Sequence, residues 1–254
     1  MKLLWLLLAV FTLIGPGFAW EGSFGRTQPR ESLKERYLAE IGIDDVHFEA
    51  FDDATPQAWP LPEEEIRQLL IEFWNATNGP YWTRLRWDFE GPWIEWPGIS
   101  EGGSTGTFDL DMEENNLTGT FPTSFFELPL EYLSLRFNQL SGTIPLSICK
   151  SQTLDTLILQ GNQMQGTLPE CLGEAPEISA LSLSNNQVTG TLPASIGNLH
   201  MLLVLILNNN NLSGTIPDEF GRLGKLRTLE LSNNQFSGTI PDSVHNMTMM
   251  TQLL

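Results

Sequence analysis

Histidine, cysteine and cationic side chains are scarce in this sequence. Its 254 residues hold three histidines, two cysteines and 13 lysines and arginines, against 31 aspartates and glutamates. His47, His200 and His245 are the only histidines, no nucleophile motif surrounds them, and no His/Cys spacing of a metal site occurs. A phosphate-cradling glycine loop and a kinase signature are missing too. Neither an active site, a metal nor a cofactor is therefore expected. The formal charge of -18 repels nucleic acid and anionic lipid. Residues 1–127 carry 22 of the acidic side chains and eight of the basic ones. A solvated acidic surface accounts for that excess, with a basic partner as the alternative.

Long apolar runs are also missing after the first twenty residues, so no membrane span is expected once the leader is removed. The leader itself has Lys2, an apolar run from Leu3 towards Ile14, helix breakers at Gly15 to Gly17 and small residues at Gly17 and Ala19. This is the form of a signal peptide over residues 1–19, too short for a stable anchor. Four sequons at Asn75, Asn116, Asn211 and Asn246 agree with export and glycosylation.

What the sequence has in abundance is repetition. From about residue 107 the pattern L-x-x-L-x-L-x-x-N-x-L-x-G-x-I-P recurs six times. Asparagine falls at Asn115, Asn138, Asn162, Asn186, Asn210 and Asn234, and proline at Pro122, Pro145, Pro169, Pro193, Pro217 and Pro241. Leucine pairs such as Leu157/Leu159 and Leu205/Leu207 alternate with other residues, the period of a short strand with one buried face. Stacked copies make a parallel sheet. The asparagines are expected to turn inward and bond to backbone groups of the bend, forming a ladder. Glycine and proline then steer the chain to a rear surface where Ile148, Leu172, Ile196, Phe220 and Val244 refill the core.

Stretches such as NNLSGTIPDEFGRL and NNQFSGTIPDSVHNM resemble the plant-specific leucine-rich-repeat class of receptor-kinase ectodomains and secreted cell-wall inhibitor proteins. The resemblance spans residues 107–254. It implies an α/β fold: a right-handed solenoid with a concave parallel sheet, a rear face of 3₁₀ and irregular segments, and a helical N-terminal cap. One scaffold serves many partners, so the fold alone does not transfer a ligand.

Residues 61–106 read as that cap, rich in tryptophan. Pro62 and three glutamates suit a helix start, Ile66, Leu69, Leu70, Phe73 and Trp74 follow at helical spacing, and Gly79 and Pro80 stop it. Trp82, Trp87, Trp93 and Trp96 are expected to pack over the first repeat. NATNGPYW and Trp96-Pro97-Gly98-Ile99 resemble the family's cap, with Ile94 and Glu101 where its cysteines stand. The cap disulfide is thus missing, as in similar protist and algal proteins.

Residues 20–60 fall outside the resemblance and read as an acidic, flexible lead. Within it Ser32 and Glu35 make a capping box, and Leu33, Tyr37, Leu38 and Ile41 suit one short amphipathic helix. Cys149 and Cys171 lie on neighbouring turns of the rear surface. They are bridged only if their Cα atoms come within about 7 Å, and spacing alone leaves both states open.

The strand positions between the leucines form rows across the repeats. One is Asp109, Tyr132, Thr156, Ala180, Val204, Thr228; the next is Asp111, Ser134, Ile158, Ser182, Ile206, Glu230; a third is Glu113, Arg136, Gln160, Ser184, Asn208, Ser232. Tyr132, Arg136, Phe137, Ile158, Gln160, Val204, Ile206 and Asn208 are the candidate ligand residues, because exposed apolar groups on a concave sheet suggest a partner. Asp109, Asp111, Glu113 and Glu114 could gather calcium, yet the glycine-turned calcium loop is missing and a solvated acidic strand explains the same residues.

The expected function is extracellular recognition of a protein, peptide or cell-wall glycan, as in a receptor ectodomain of signalling or defence. The alternative is a secreted enzyme with its catalytic domain beyond residue 254. Met250, Leu253 and Leu254 begin a seventh repeat with no rear cap after it, so either further repeats follow or the chain self-associates through that end. The leader predicts a mature N-terminus near Trp20, which mass spectrometry of secreted material reads directly. A mature chain starting at Met1 would remove the argument for export.

Overall fold

The structure, a computed structural model, describes residues 32–43, 59–87 and 89–253. The signal-peptide residues, the acidic stretch Asp44 to Asp53 and His47 lie outside the described residues.

Each repeat contributes one short strand to a front sheet of eight. The strands are Ile99–Glu101, Phe108–Asp111, Leu130–Ser134, Thr156–Ile158, Ala180–Ser182, Val204–Ile206, Thr228–Glu230 and Gln252–Leu253, adjacent in that order. Seven run parallel. The first, from the cap, pairs antiparallel, with Ile99 opposite Leu110. Registers align Tyr132, Thr156, Ala180, Val204 and Thr228 in one row and Ser134, Ile158, Ser182, Ile206 and Glu230 in the next. The start of the seventh repeat is not left loose: Gln252 and Leu253 pair with Thr228 and Leu229, and Met250 packs half-buried against the core.

The leucines between these rows point the other way, into a core closed at the rear by 3₁₀ segments. Phe125, Ile148, Leu172, Ile196 and Phe220 are fully buried there, and Val244 is partly buried. Cys149 and Cys171 form a disulfide across two rear turns, their Cα atoms 5.5 Å apart.

The asparagine ladder joins the repeats at the end of each strand. Asn162 Oδ1 accepts from Leu140 N, and its Nδ2 donates to Leu135 O at 2.9 Å and Leu159 O at 3.1 Å. Asn186 and Asn210 repeat this geometry one and two turns on, and Asn234 repeats it again. Asn138 Oδ1 accepts from both Asn115 N and Leu117 N. Asn115 bonds backward to the cap, accepting from Leu85 N and donating to Leu85 O. The residue before each rung is left-handed: Glu114, Phe137, Gly161, Asn185, Asn209 and Asn233. Asparagine and glycine adopt that conformation readily, which explains the repeated Asn-Asn pairs.

A second contact sets the spacing. The repeat glycines Gly142, Gly166, Gly190, Gly214 and Gly238 have positive φ, and each lies against the threonine methyl of the preceding repeat. A Cβ at Gly166 would come within 2.6 Å of the Thr143 methyl, closer than real Cβ contacts allow.

The cap closes the first repeat with aromatic rings. Helix α2, Glu63–Ala76, buries Ile66, Leu69, Leu70 and Phe73, and Phe73 meets Trp82, Trp87, Phe121 and Phe125. Trp82 and Trp87 donate their ring N–H groups to Thr77 O and Pro97 O, so burial leaves neither unsatisfied. Trp59 packs edge-on against Trp93 at 4.9 Å. The cap core therefore reaches two residues further upstream than the sequence boundary at residue 61.

The lead contains helix α1, Leu33–Glu40, with Ser32 and Glu35 making both capping-box bonds. The expectation of a flexible lead is corrected for residues 32–43: Tyr37, Leu38 and Ile43 are buried against the front sheet. Apolar side chains with a sheet within reach leave water.

The ladder's contribution is measurable. Asn162→Ala leaves three buried backbone groups without their partner and is expected to destabilise the solenoid by about 1–3 kcal/mol. Asn234 is only partly buried, so Asn234→Ala is expected to cost less. Chemical unfolding of the two variants checks the order.

Candidate ligand-binding face

The front sheet presents its rows to helix α1. Tyr37, Leu38 and Ile43 meet Tyr132, Ile158, Ala180, Val204 and Ile206 in a cluster separate from the solenoid core. Ile158 and Val204 are fully buried, and Tyr132 and Ile206 are nearly so. This corrects the expectation of an open apolar face: the groups are present in the rows, but the chain covers them itself. Leu38, at 1% exposure, is the deepest helix residue in that contact.

Charges fix how α1 lies. Lys34 Nζ sits 2.7 Å from Asp155 Oδ2, at the edge where the strands begin. Asp155 also accepts from Thr156 Oγ1 and Ser179 Oγ through its other oxygen, both at 2.8 Å. At the edge where the strands end, Arg136 Nη1 donates to both oxygens of Glu40, at 2.8 and 2.9 Å, while its Nε bonds Glu113. The helix therefore crosses from the entry edge to the exit edge with an ion pair at each end. Burying one leucine-sized side chain contributes about 2 kcal/mol, and ordering one residue costs about 1 kcal/mol or more. An eight-residue helix is thus held with little surplus, and its charged contacts matter.

The candidate residues divide into covered and open groups. Arg136, Gln160 and Asn208 are half-buried beside α1 and line a cavity of about 210 Å³ with Glu40, Ile41 and Glu230. Phe137 is 46% exposed, the Arg136 guanidinium lies 5.7 Å from its ring centre, and its φ is 57°. A phenylalanine held left-handed is strained, and here the strain presents an aromatic ring to solvent at the rim.

The acidic first strand is not simply solvated. Asp109 is 7% exposed; burial, followed by the charge of nearby Glu131, pushes its carboxyl from an ordinary 3.8 up to about 8. Asp155 and Asp111 add to the shift, and a backbone hydrogen bond from Tyr132 opposes it. Asp111 is raised by burial and by Glu113. No group of three or more metal-ligating side chains forms among the described residues. His245 Nδ1 lies 2.8 Å from Asp242 O, on the rear of its repeat.

Of the sequon asparagines, Asn75, Asn211 and Asn246 are exposed. Asn116 is half-buried, its amide nitrogen donating to Tyr81 O at 3.3 Å and its oxygen accepting from Gln139 Nε2 at 2.6 Å. Sequence reading missed Lys34, Glu40 and Asp155; the available signal was a cation and a carboxylate flanking the Tyr37–Leu38 pair, with opposite charges at both ends of the rows.

Residues 129–151 and 176–236 match models described as leucine-rich repeat. The repeats in those two stretches are leucine-rich repeats, and they are similar to those of plant receptor ectodomains. The plant peptide hormone receptor RGFR1, solved in complex with RGF2, is 35% identical over 57% of this chain and 24% of its own, with a TM-score of 0.57. The Arabidopsis receptor kinase HAESA ectodomain, solved with an IDA peptide hormone ligand, is 28% identical over 75% of this chain and 33% of its own, with a TM-score of 0.67. The BIR2 ectodomain from Arabidopsis thaliana is 26% identical over 70% of this chain and 96% of its own, with a TM-score of 0.60. This leucine-rich-repeat chain thus spans a third or less of the two hormone receptors. No curated protein matches it. Among the described residues no helix is long and apolar enough to cross a membrane.

The raised Asp109 pKa sets a pH dependence. Between about pH 4 and pH 8 the unfolded carboxyl is ionised while the folded one keeps its proton, so stability falls as pH rises through that window. Asp109→Asn removes this contribution while keeping an acceptor for Tyr132 N. Thermal unfolding at pH 5 and pH 8 is expected to show a smaller alkaline loss for the variant than for the parent; equal losses would place the carboxylate charge in water.

Proposed function

We propose that this chain is an extracellular recognition module, exported by its leader, whose concave face binds a protein or peptide ligand. The observation that carries this reading is the contact with α1: the face already accommodates a polypeptide segment, using apolar rows at its centre and opposite charges at its two edges. Tyr132, Arg136, Phe137, Ile158, Gln160, Val204, Ile206 and Asn208 supply the contact surface. Ring and guanidinium groups such as Phe137 and Arg136 are the side chains enriched where protein partners dock.

Similar ectodomains solved with peptide hormones support the same ligand class. A peptide or protein is favoured over a glycan because the covered rows are aliphatic, whereas the one tyrosine among them, Tyr132, is itself buried. The reading is of a binder rather than an enzyme, and the matched structures are receptor ectodomains.

A photo-crosslinking amino acid placed at Phe137 or Asn208 of the secreted protein tests this. Its own secretion system is expected to yield one crosslinked protein or peptide species from these front positions, and none from Glu170 on the rear. Crosslinks from Glu170 alone would move the binding surface away from the concave face.

A further inference from the structure

We infer that the concave face is a docking site for an amphipathic helix presenting a tyrosine–leucine pair between a cation and a carboxylate, with α1 as its tethered occupant. This rests on the reading of the concave face as a recognition surface, and adds the conformation and chemistry of what it recognises.

The first support is the independence of the two apolar clusters. The solenoid core runs from Ile66 in the cap to Met247 without using a side chain of α1, whereas among the described residues Tyr37, Leu38 and Ile43 cluster with the front rows, with Leu203 and with their neighbours Leu33 and Ile41. Removal of the helix therefore leaves the core and the asparagine ladder intact. Among the described residues no backbone hydrogen bond joins α1 to the sheet, so side chains alone hold it there.

The second support is charge complementarity with a direction. Asp155, with Glu131 close by, sets negative charge at the entry edge, where α1 brings Lys34; Arg136 waits at the exit edge, where α1 brings Glu40. A helix docked in reverse would place like charges together at both ends, which is repulsive. Such geometry specifies a ligand by polarity as well as by shape.

The third support is the imperfection of the present fit. Among the described residues Tyr37 Oη and Ser182 Oγ face each other with no partner besides, and Asn208 Oδ1 is buried without a donor. Buried polar atoms are ordinarily paired. The cavity between Ile41 and Gln160 is continuous with the same site. A helix longer by a turn, with a donor reaching Asn208, fills what α1 leaves empty and displaces it by differential affinity.

The test uses the full chain and a stapled helical peptide carrying residues 32–43 with a fluorescent label. In the parent the tethered copy competes at high effective concentration, so added peptide binds weakly. Lys34→Glu combined with Leu38→Asp releases α1, and peptide affinity is expected to rise roughly a hundredfold or more. A peptide with Lys34→Glu should lose that binding and regain it on a chain released by Leu38→Asp together with Asp155→Lys, in which the tethered Lys34 is kept. Hydrogen exchange of the released chain should show loss of protection over residues 33–40 and unchanged protection over the rear segment 194–198.

Three results overturn the inference. Loss of rear protection together with α1 would make the helix an integral part of the fold; Lys34→Glu alone, a milder change, is then expected to show the same coupling. A released helix with intact rear protection and no peptide binding would leave the face without a helical ligand. A parent dimer abolished by Leu38→Asp would assign the occupant to a second copy. Crosslinking from Phe137 to a partner alongside absent peptide binding would leave the recognition reading standing and remove only this one.

Discussion

The side-chain amide of the repeated asparagine is the interaction on which the rest depends. Six of the eight strands of the front sheet end in a bend whose backbone groups would otherwise be buried and unpaired, a cost of the same size as a whole domain's margin of stability if incurred six times. One primary amide has donors and an acceptor at the right separation to serve two adjacent turns at once. Asn115 extends the same device to the cap through Leu85. The cap is thereby coupled to the solenoid by polar bonds as well as by the Trp82, Trp87 and Phe73 rings, in place of a cap disulfide.

Because the ladder and the leucines fix the backbone from inside, the outward rows are free to vary. Nothing in the core constrains whether position 158 is isoleucine or position 136 arginine. The chemistry of the front face can therefore be set by its occupant. Ile158, Val204 and Ile206 follow the needs of Leu38 and Tyr37, and Arg136 and Asp155 follow the charges of Glu40 and Lys34. Phe137 is the point where the two layers conflict: it occupies a left-handed position that Asn185, Asn209 and Asn233 fill in later repeats, and the strain accompanies an exposed ring.

The repeats were legible because each residue in them answers one local requirement that recurs at a fixed interval. Leu157, Asn162, Gly166 and Pro169 are each explained within their own turn and its neighbour. Helix α1 was legible as a helix for the same reason, through Ser32 and Glu35. Its docking was not, since Lys34 and Asp155 are 121 residues apart and neither end of the pair carries a local signature. The rows were correctly aligned from sequence, yet alignment cannot say whether water or another part of the chain lies over them. The Asp109 carboxyl illustrates the same limit: a strand reading Phe-Asp-Leu-Asp looks solvated until the fold has buried it and set Glu131 nearby.

The glycine and threonine stacking carries a consequence for how such a chain can change its length. A threonine methyl from one turn fills the space where the next turn's glycine lacks a Cβ, at Gly142, Gly166, Gly190, Gly214 and Gly238 alike. Copying a whole unit between two such glycines yields a new turn that meets both neighbours with methyl against bare Cα. A duplication or deletion cut out of phase sets a side chain where only hydrogen fits. The number of turns, and with it the breadth of the front face, therefore changes without steric conflict only in whole steps.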